Sequence, residues 1–211
     1  MNQRVYVTGL GAVSPVGLDL DSTWESLIHG KSGINQISSF ETSELLTTIA
    51  AEITDFDPIG ILGLKESARM DRFVQLACVA SLEAVSNSNL EINSSNCNRI
   101  SVNIASGIGG IITLSEQIQV MDSRGPRRVS PFLVPMMLPD MASGQVSMLL
   151  GAKGPNYSAV SACSSSADSI GLALESIRRG DVDIAIAGGA EAAICPIGIA
   201  GFSCCKALSK R

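Results

Sequence analysis

One cysteine draws attention first. Cys163 sits in "VSACSSSADSIGLAL", residues 160–174, between small residues and three serines, and a helical pattern follows at once. A thiol just ahead of a helix lies near unpaired backbone N–H groups and the positive end of the helix dipole, and both favour thiolate. Half-ionising an ordinary thiol at pH 7 needs a shift of about 1.5 pK units, roughly 2 kcal/mol. A helix terminus usually supplies about 0.3–1 kcal/mol, so a second dipole or a base would have to help. The single histidine, His29, has no acidic partner at a useful spacing and reads as a surface or capping residue. On local pattern alone, Cys163 reads equally well as a nucleophile or as a small packed residue.

The other cysteines, Cys78, Cys97, Cys195, Cys204 and Cys205, show no C-x-x-C spacing and read as packed or reduced thiols. The adjacent pair Cys204–Cys205 supplies only two ligands, which make no metal site. The Gly-rich turns "SGIGG" (106–110) and "AGGAE" (187–191) follow strand-like runs, but neither is G-x-G-x-x-G. Both read as places of close backbone packing.

The elements that must position these groups follow from periodicity. "RVYVTGLGAVSP" (4–15) reads as a buried strand ending in a Gly-rich turn. A short helix with Trp24, Leu27 and Ile28 on one face follows, capped by Asp21 or Ser22 and stopped by Gly30. Residues 31–64 are weakly patterned and read as an irregular excursion. Residues 70–88 form the clearest amphipathic helix, with Phe73, Leu76, Ala77, Ala80, Leu82 and Val85 near helical spacing. A short β-rich run covers 99–110 and ends in a Gly-rich turn, a helix starts by 112, a Pro-rich loop spans 124–141, and a helix covers 141–151. "GPNYSAVSAC" reads as a strand climbing to Cys163. The helix after it carries Ile170, Leu174 and Ile177 on one stripe and stops at Gly180. "VDIAIAGGAEAA" reads as a central strand covered on both faces. Alternating strands and helices predict an α/β domain with a largely parallel sheet, and no linker divides residues 1–211.

Composition narrows the function. The 211 residues are aliphatic and glycine-rich, with 45% hydrophobic residues and 20 glycines. A net charge of −5 argues against general nucleic-acid affinity. No apolar run is long enough to span a bilayer, and the N-terminus does not read as a signal peptide.

Taken together, "RVYVTGLGAVSPVG", "WESLIHGKSGI", "ARMDRF", "ASGIGG", "GPRRVSPFLVP", "GPNYSAVSACSSS", "GDVDIAIAGGAEAAICPIGIAGF" and "KALSKR" resemble the N-terminal half of the β-ketoacyl-[acyl carrier protein] synthases, nearest the type II elongating enzymes. The resemblance runs in order over the whole chain. It implies the thiolase-like α/β fold, whose full form is a five-layered αβαβα sandwich of two related halves. It implies that Cys163 accepts the acyl chain, with its own backbone N–H as one oxyanion donor. Decarboxylation of a malonyl carrier protein and attack of the carbanion would then extend the chain by two carbons, with no metal or nucleotide cofactor. Ile108 and Phe202 match positions lining or gating the acyl pocket. Leu133 and Val134 match a loop reaching toward the pocket across a two-fold homodimer interface, with Leu133 where many relatives carry Phe. Lys65, Arg69, Arg127, Arg128 and Lys206 match, or fall beside, a basic patch that docks acyl carrier protein.

The family's second half carries two histidines and a lysine that this chain does not show, so the stretch reads as the first half of a longer enzyme, inactive in condensation by itself. The resemblance places such an enzyme in a bacterial cytoplasm or plastid stroma. A polyketide ketosynthase shares the mechanism. A non-catalytic chain-length-factor-like subunit would typically lack the nucleophile, and Cys163 counts against it.

Overall fold

The computed structural model describes residues 4–209. Its centre is a parallel pair of strands, β3 (Ile100–Ala105) and β4 (Ile184–Gly189), in register from Ile100 opposite Ile184 to Ala105 opposite Gly189. Helices α4 (Arg72–Asn87) and α7 (Met141–Leu150) pack together, and α7 lies against β3. Helix α8 (Ser165–Arg179) lies on both strands. The main core fills the first of these contacts. Phe73, Val74, Ala77 and Cys78 of α4 meet Ile100, Val102 and Ile104 of β3 and Ala142 and Val146 of α7. Alternate residues of β3 turn to this core, as the pleat requires. Every residue of β3 is buried, whereas β4 is only half-buried along most of its length. The expectation that β4 is covered on both faces is therefore not met among the described residues.

The smaller elements surround this centre. Helix α1 covers Leu20–Ile28, and strands β1 (Asn35–Gln36) and β2 (Ile49–Ala50) form a short antiparallel pair in the irregular excursion. Short helices α2 (Pro58–Leu62) and α3 (Leu64–Ser67) lead into α4. Helix α5 (Ile111–Arg124) follows β3, and α9 (Pro196–Cys204) follows β4. The Pro-rich stretch holds a 3-10 turn at Pro126–Arg128 and helix α6 (Leu133–Met137), so it is more ordered than the loop its prolines predict.

Buried polar groups fix the joints. The Asp71 carboxylate is almost fully buried and caps two helices at once, accepting from Phe73 N–H of α4 at 3.3 Å and Thr113 N–H of α5 at 2.9 Å. Two orphan donors at helix starts are thereby satisfied by one side chain. The Ser143 hydroxyl on α7 accepts from Ile104 N–H at 2.7 Å and lies 2.9 Å from the Tyr157 carbonyl, tying α7 to β3 and to the segment leading to Cys163.

Three sequence expectations are corrected. The segment 4–15 forms no strand, and Tyr6 and Val7 are exposed. It lies on α4 instead, because Glu83 accepts from Ala12 N–H at 2.8 Å and Leu20 N–H at 2.7 Å, and Gly9 and Gly11 approach the carbonyls of Ala84 and Ala80 more closely than a side chain would allow. Residues 154–163 likewise form no ladder strand; beside β3 they make an isolated bridge between Val102 and Asn156, and Gly154 N–H donates to the Ile100 carbonyl at 3.0 Å. On α1, Trp24, Leu27 and Ile28 are exposed while Thr23 and Ser26 are buried, and the cap is Asp19, whose carboxylate accepts from Ser22 N–H at 2.7 Å.

Candidate active site

Cys163 lies at the ends of the two parallel strands, where the chain leaves β3 and β4 toward the same side. Crevices at the carboxyl ends of parallel strands are common ligand sites in α/β proteins. The thiol is exposed, in a 3-10 turn over Ala162–Ser164 that runs directly into α8. Ala162 has φ +54°, an unusual conformation for a residue with a Cβ, and the strain falls beside the thiol.

Serines brace this turn. Ser161 N–H donates to Ser165 Oγ at 2.9 Å, Ser165 Oγ donates to the Ala162 carbonyl at 2.7 Å, and Ser164 Oγ donates to the Ser161 carbonyl at 2.8 Å. The Ser161 hydroxyl also donates to the Asp168 carboxylate in the first turn of α8. Short hydroxyl side chains commonly bind nearby backbone groups in this way at helix starts.

Helix α8 holds this turn to the sheet through a face of small residues. Its buried positions are Ser165, Ser169, Ala173 and Ser176, and Ser169 Oγ donates to the Asn103 carbonyl of β3. Ile170 and Leu172 point outward and are exposed. The predicted stripe of Ile170, Leu174 and Ile177 is corrected at Ile170, because the helix approaches the strands too closely for large side chains on that face. A Cβ at Gly189 would stand 2.7 Å from Ser166 Cβ, which shows how tight the approach is at the end of β4.

A cavity of about 460 Å³ opens beside the thiol, lined by Cys163, Ile108, Phe202, Ala162 and Glu191, among others. The structure brings Ile108, Phe202 and Cys163 together, from the turn after β3, helix α9 and the turn before α8. Leu133 and Val134 lie on α6, outside this cavity, with Val134 exposed. Lys65, Arg69, Arg127, Arg128 and Lys206 are all exposed. Arg69 stacks over the Phe132 ring at 4.8 Å, which links the α3–α4 junction to the segment carrying Leu133. His29 is exposed at the end of α1, its Nδ1 2.8 Å from the Glu25 carbonyl.

The remaining thiols are chemically distinct. Cys78 is fully buried, and burial pushes its pKa up to about 12. Cys97 and Cys195 are buried, and Cys204 and Cys205 are exposed free thiols. Among the described residues, no group of three or more His, Cys, Asp or Glu could hold a metal, and no helix is long and apolar enough to cross a membrane.

Glu191 joins the site without having stood out in "AGGAE". Its carboxylate accepts from Ser106 Oγ at 3.2 Å, Gly107 N–H at 2.9 Å and Ile108 N–H at 3.2 Å. A carboxylate just after a Gly-Gly strand end is the one signal the sequence holds for it.

The family model described as "Beta-ketoacyl synthase, N-terminal domain" matches residues 2–211. The chain belongs to the β-ketoacyl synthase family. It is 48% identical over 208 residues to 3-oxoacyl-[acyl-carrier-protein] synthase 2 of Staphylococcus aureus (strain COL), covering 99% of this chain and 50% of that protein. It is 44% identical over 209 residues to the synthase of the same name from Coxiella burnetii, again covering 99% of this chain and 50% of the relative. The chain therefore spans about half the length of the curated relatives it matches. Among solved structures, a β-ketoacyl synthase from Burkholderia phymatum STM815 superposes with a TM-score of 0.87 at 26% identity, over 99% of this chain and 51% of that one. The ishigamide ketosynthase/chain length factor gives a TM-score of 0.89 at 27% identity, over 99% of this chain and 52% of that one. The thiolase-like α/β fold expected from the sequence is the fold of these synthases.

Proposed function

We propose that Cys163 is the acyl-accepting nucleophile of a condensing enzyme of fatty-acid chain elongation. The observation that carries this is the exposed thiol at the N-terminal end of α8, opening on a cavity shared with Ile108 and Phe202. In the first step the Cys163 thiolate attacks the thioester carbonyl of an acyl carrier protein, and the carrier's thiol leaves. A malonyl carrier protein then loses CO2, and the resulting carbanion attacks the acyl group on Cys163. The thiolate departs and a 3-ketoacyl carrier protein, two carbons longer, is released. A backbone N–H at Cys163 suits the oxyanion of the acyl-transfer step. The names of the Staphylococcus aureus and Coxiella burnetii relatives support this assignment over a polyketide pathway.

The carrier protein is the proposed partner. Lys65, Arg69, Arg127, Arg128 and Lys206 present positive charge on an acidic chain, which would steer and orient an acidic partner. A ketosynthase 22% identical to this chain has been solved in complex with its type II PKS acyl-carrier protein. A second copy of the chain is the other proposed partner, approached through the α6 segment with Leu133 and Val134. The enzyme is assigned to the compartment of fatty-acid synthesis, the bacterial cytoplasm or the plastid stroma.

The test is acyl transfer to the protein at its full encoded length. With an acyl carrier protein as donor, the peptide bearing Cys163 gains the acyl mass, and Cys163→Ala abolishes both the adduct and chain extension. An adduct on another residue, or extension that survives Cys163→Ala, refutes the assignment.

A further inference from the structure

We infer that Glu191 is a positioning residue that locks the Gly107–Ile108 turn and thereby sets which acyl-chain lengths the Cys163 cavity admits. This rests on the acyl-transfer reading above and adds a residue to it.

"SGIGG" follows β3 and contains three glycines, so its backbone has little intrinsic preference for one conformation. Yet Ile108, in its middle, lines the cavity beside the thiol. A wall built on such a turn needs an anchor, and the anchor is the Glu191 carboxylate. One oxygen accepts from both Gly107 N–H at 2.9 Å and Ile108 N–H at 3.2 Å. The other accepts from Ser106 Oγ at 3.2 Å, and Ser106 Oγ in turn accepts from Gly109 N–H at 2.9 Å. Successive N–H groups converging on one anionic oxygen form a backbone nest, here filled from within the chain. Hydrogen bonds to a charged acceptor are the stronger kind.

The loop held by this carboxylate also lies close to the thiol's own turn. Glu191 closely follows β4, and Ala190 N–H donates to the Ala105 carbonyl at 2.9 Å, so the backbone leading to it is fixed by the sheet. At Gly107, an added Cβ would lie 3.1 Å from the Ala162 carbonyl oxygen and 3.2 Å from Glu191 Oε2. The loop at Gly107 therefore packs closely against both Glu191 and the residue preceding Cys163. On its far side, Gly110 N–H donates to the Met137 carbonyl at 3.1 Å at the end of α6. Releasing the Glu191 side frees the Ile108 end of this turn while the α6 end stays held, so the distance from Ile108 to the thiol is what changes.

The experiment uses the protein at its full encoded length, with a series of saturated acyl thioesters of increasing length as donors. Acylation at Cys163 is followed by mass spectrometry, and KM and kcat are measured for each donor and for the malonyl donor. Glu191→Ala is expected to flatten the chain-length profile, lowering the preference between adjacent donors by about tenfold, the scale on which an apolar pocket discriminates a methylene. The change falls on KM for the acyl donors and leaves KM for the malonyl donor unchanged. Ile108→Ala gives the same flattening, and the double variant adds nothing further. Glu191→Gln keeps the volume and one acceptor oxygen, flattens the profile less, and is the variant read if alanine gives no folded protein. Alkylation of Cys163 by iodoacetamide within about twofold of wild type shows that the thiol's turn is intact. A profile unchanged in Glu191→Gln and in any folded Glu191→Ala, with normal wild-type acylation, overturns this inference alone. A wild-type protein that takes no acyl group at Cys163 overturns the acyl-transfer reading and this inference with it.

Discussion

The contrast between Cys163 and Cys78 offers a sharp test, because two thiols of one chain sit in opposite environments. Cys78 is fully buried among the side chains of α4, β3 and α7, and its pKa is raised from an ordinary value near 9.0 to about 12. At pH 8 roughly one Cys78 in ten thousand is thiolate, against about one in ten for an ordinary thiol, so ionisation alone slows its alkylation about a thousandfold. Steric exclusion from the core adds to that. The assay treats native protein with iodoacetamide at pH 8, quenches a time course and measures a rate for each cysteine-containing peptide. Cys163, Cys204 and Cys205 are expected to label first, with Cys78 at least about a thousandfold behind Cys163. In concentrated urea the rates converge. Native labelling of Cys78 within about tenfold of Cys163 would refute the argument that desolvation controls these thiols.

Three further outcomes follow from the same geometry. Since the folded pKa of Cys78 lies above its unfolded value, its contribution to stability is complete below about pH 9 and is lost as pH rises toward 12; urea titrations should show a slope of up to about 1.4 kcal/mol per pH unit there, absent in Cys78→Ala. Ser143→Ala strands the buried Ile104 N–H, whose acceptor at 2.7 Å is removed, and should cost about 1–3 kcal/mol in urea denaturation. The Arg99 guanidinium, bonded to Asp183 at 2.7 Å, holds that carboxyl below its usual range, so the pair's stabilisation is present above about pH 4 and fades as pH falls further; Asp183→Asn should lower the thermal midpoint at neutral pH and low salt, with the gap to wild type closing in acid.

Much of the site was legible in the sequence because it is local. Cys163, the helix after it and the Gly-rich turns announce themselves through residue type and spacing, and the resemblance joined Ile108 and Phe202 to the thiol. Helix α4 was legible for the same reason, since its apolar period reports a buried face. What the sequence concealed depends on tertiary distance. Helix α8 turns its smallest residues to the strands, so a search for large apolar residues chose Ile170, which is exposed. Helix α1 inverts the usual rule more completely, burying Thr23 and Ser26 and exposing Trp24, Leu27 and Ile28. The apolar run of 4–15 has strand composition, but its backbone meets side chains of α4 rather than a neighbouring strand. Asp71 and Glu191 were silent because a carboxylate's acceptor role is decided by which backbone N–H groups arrive beside it, here from residues 42 and 84 positions away.

Helix α8 meets the sheet through small side chains. A shim of serine and alanine separates the helix from the strands, so volume rather than polarity decides what residues 165, 169 and 173 can become. A valine at Ser169 would wedge the helix outward, and Cys163, mounted on the leading end of that helix, would swing with it. The address of the reactive sulfur is thus written partly downstream, at Ser169 and Ala173, which do not line the cavity beside it.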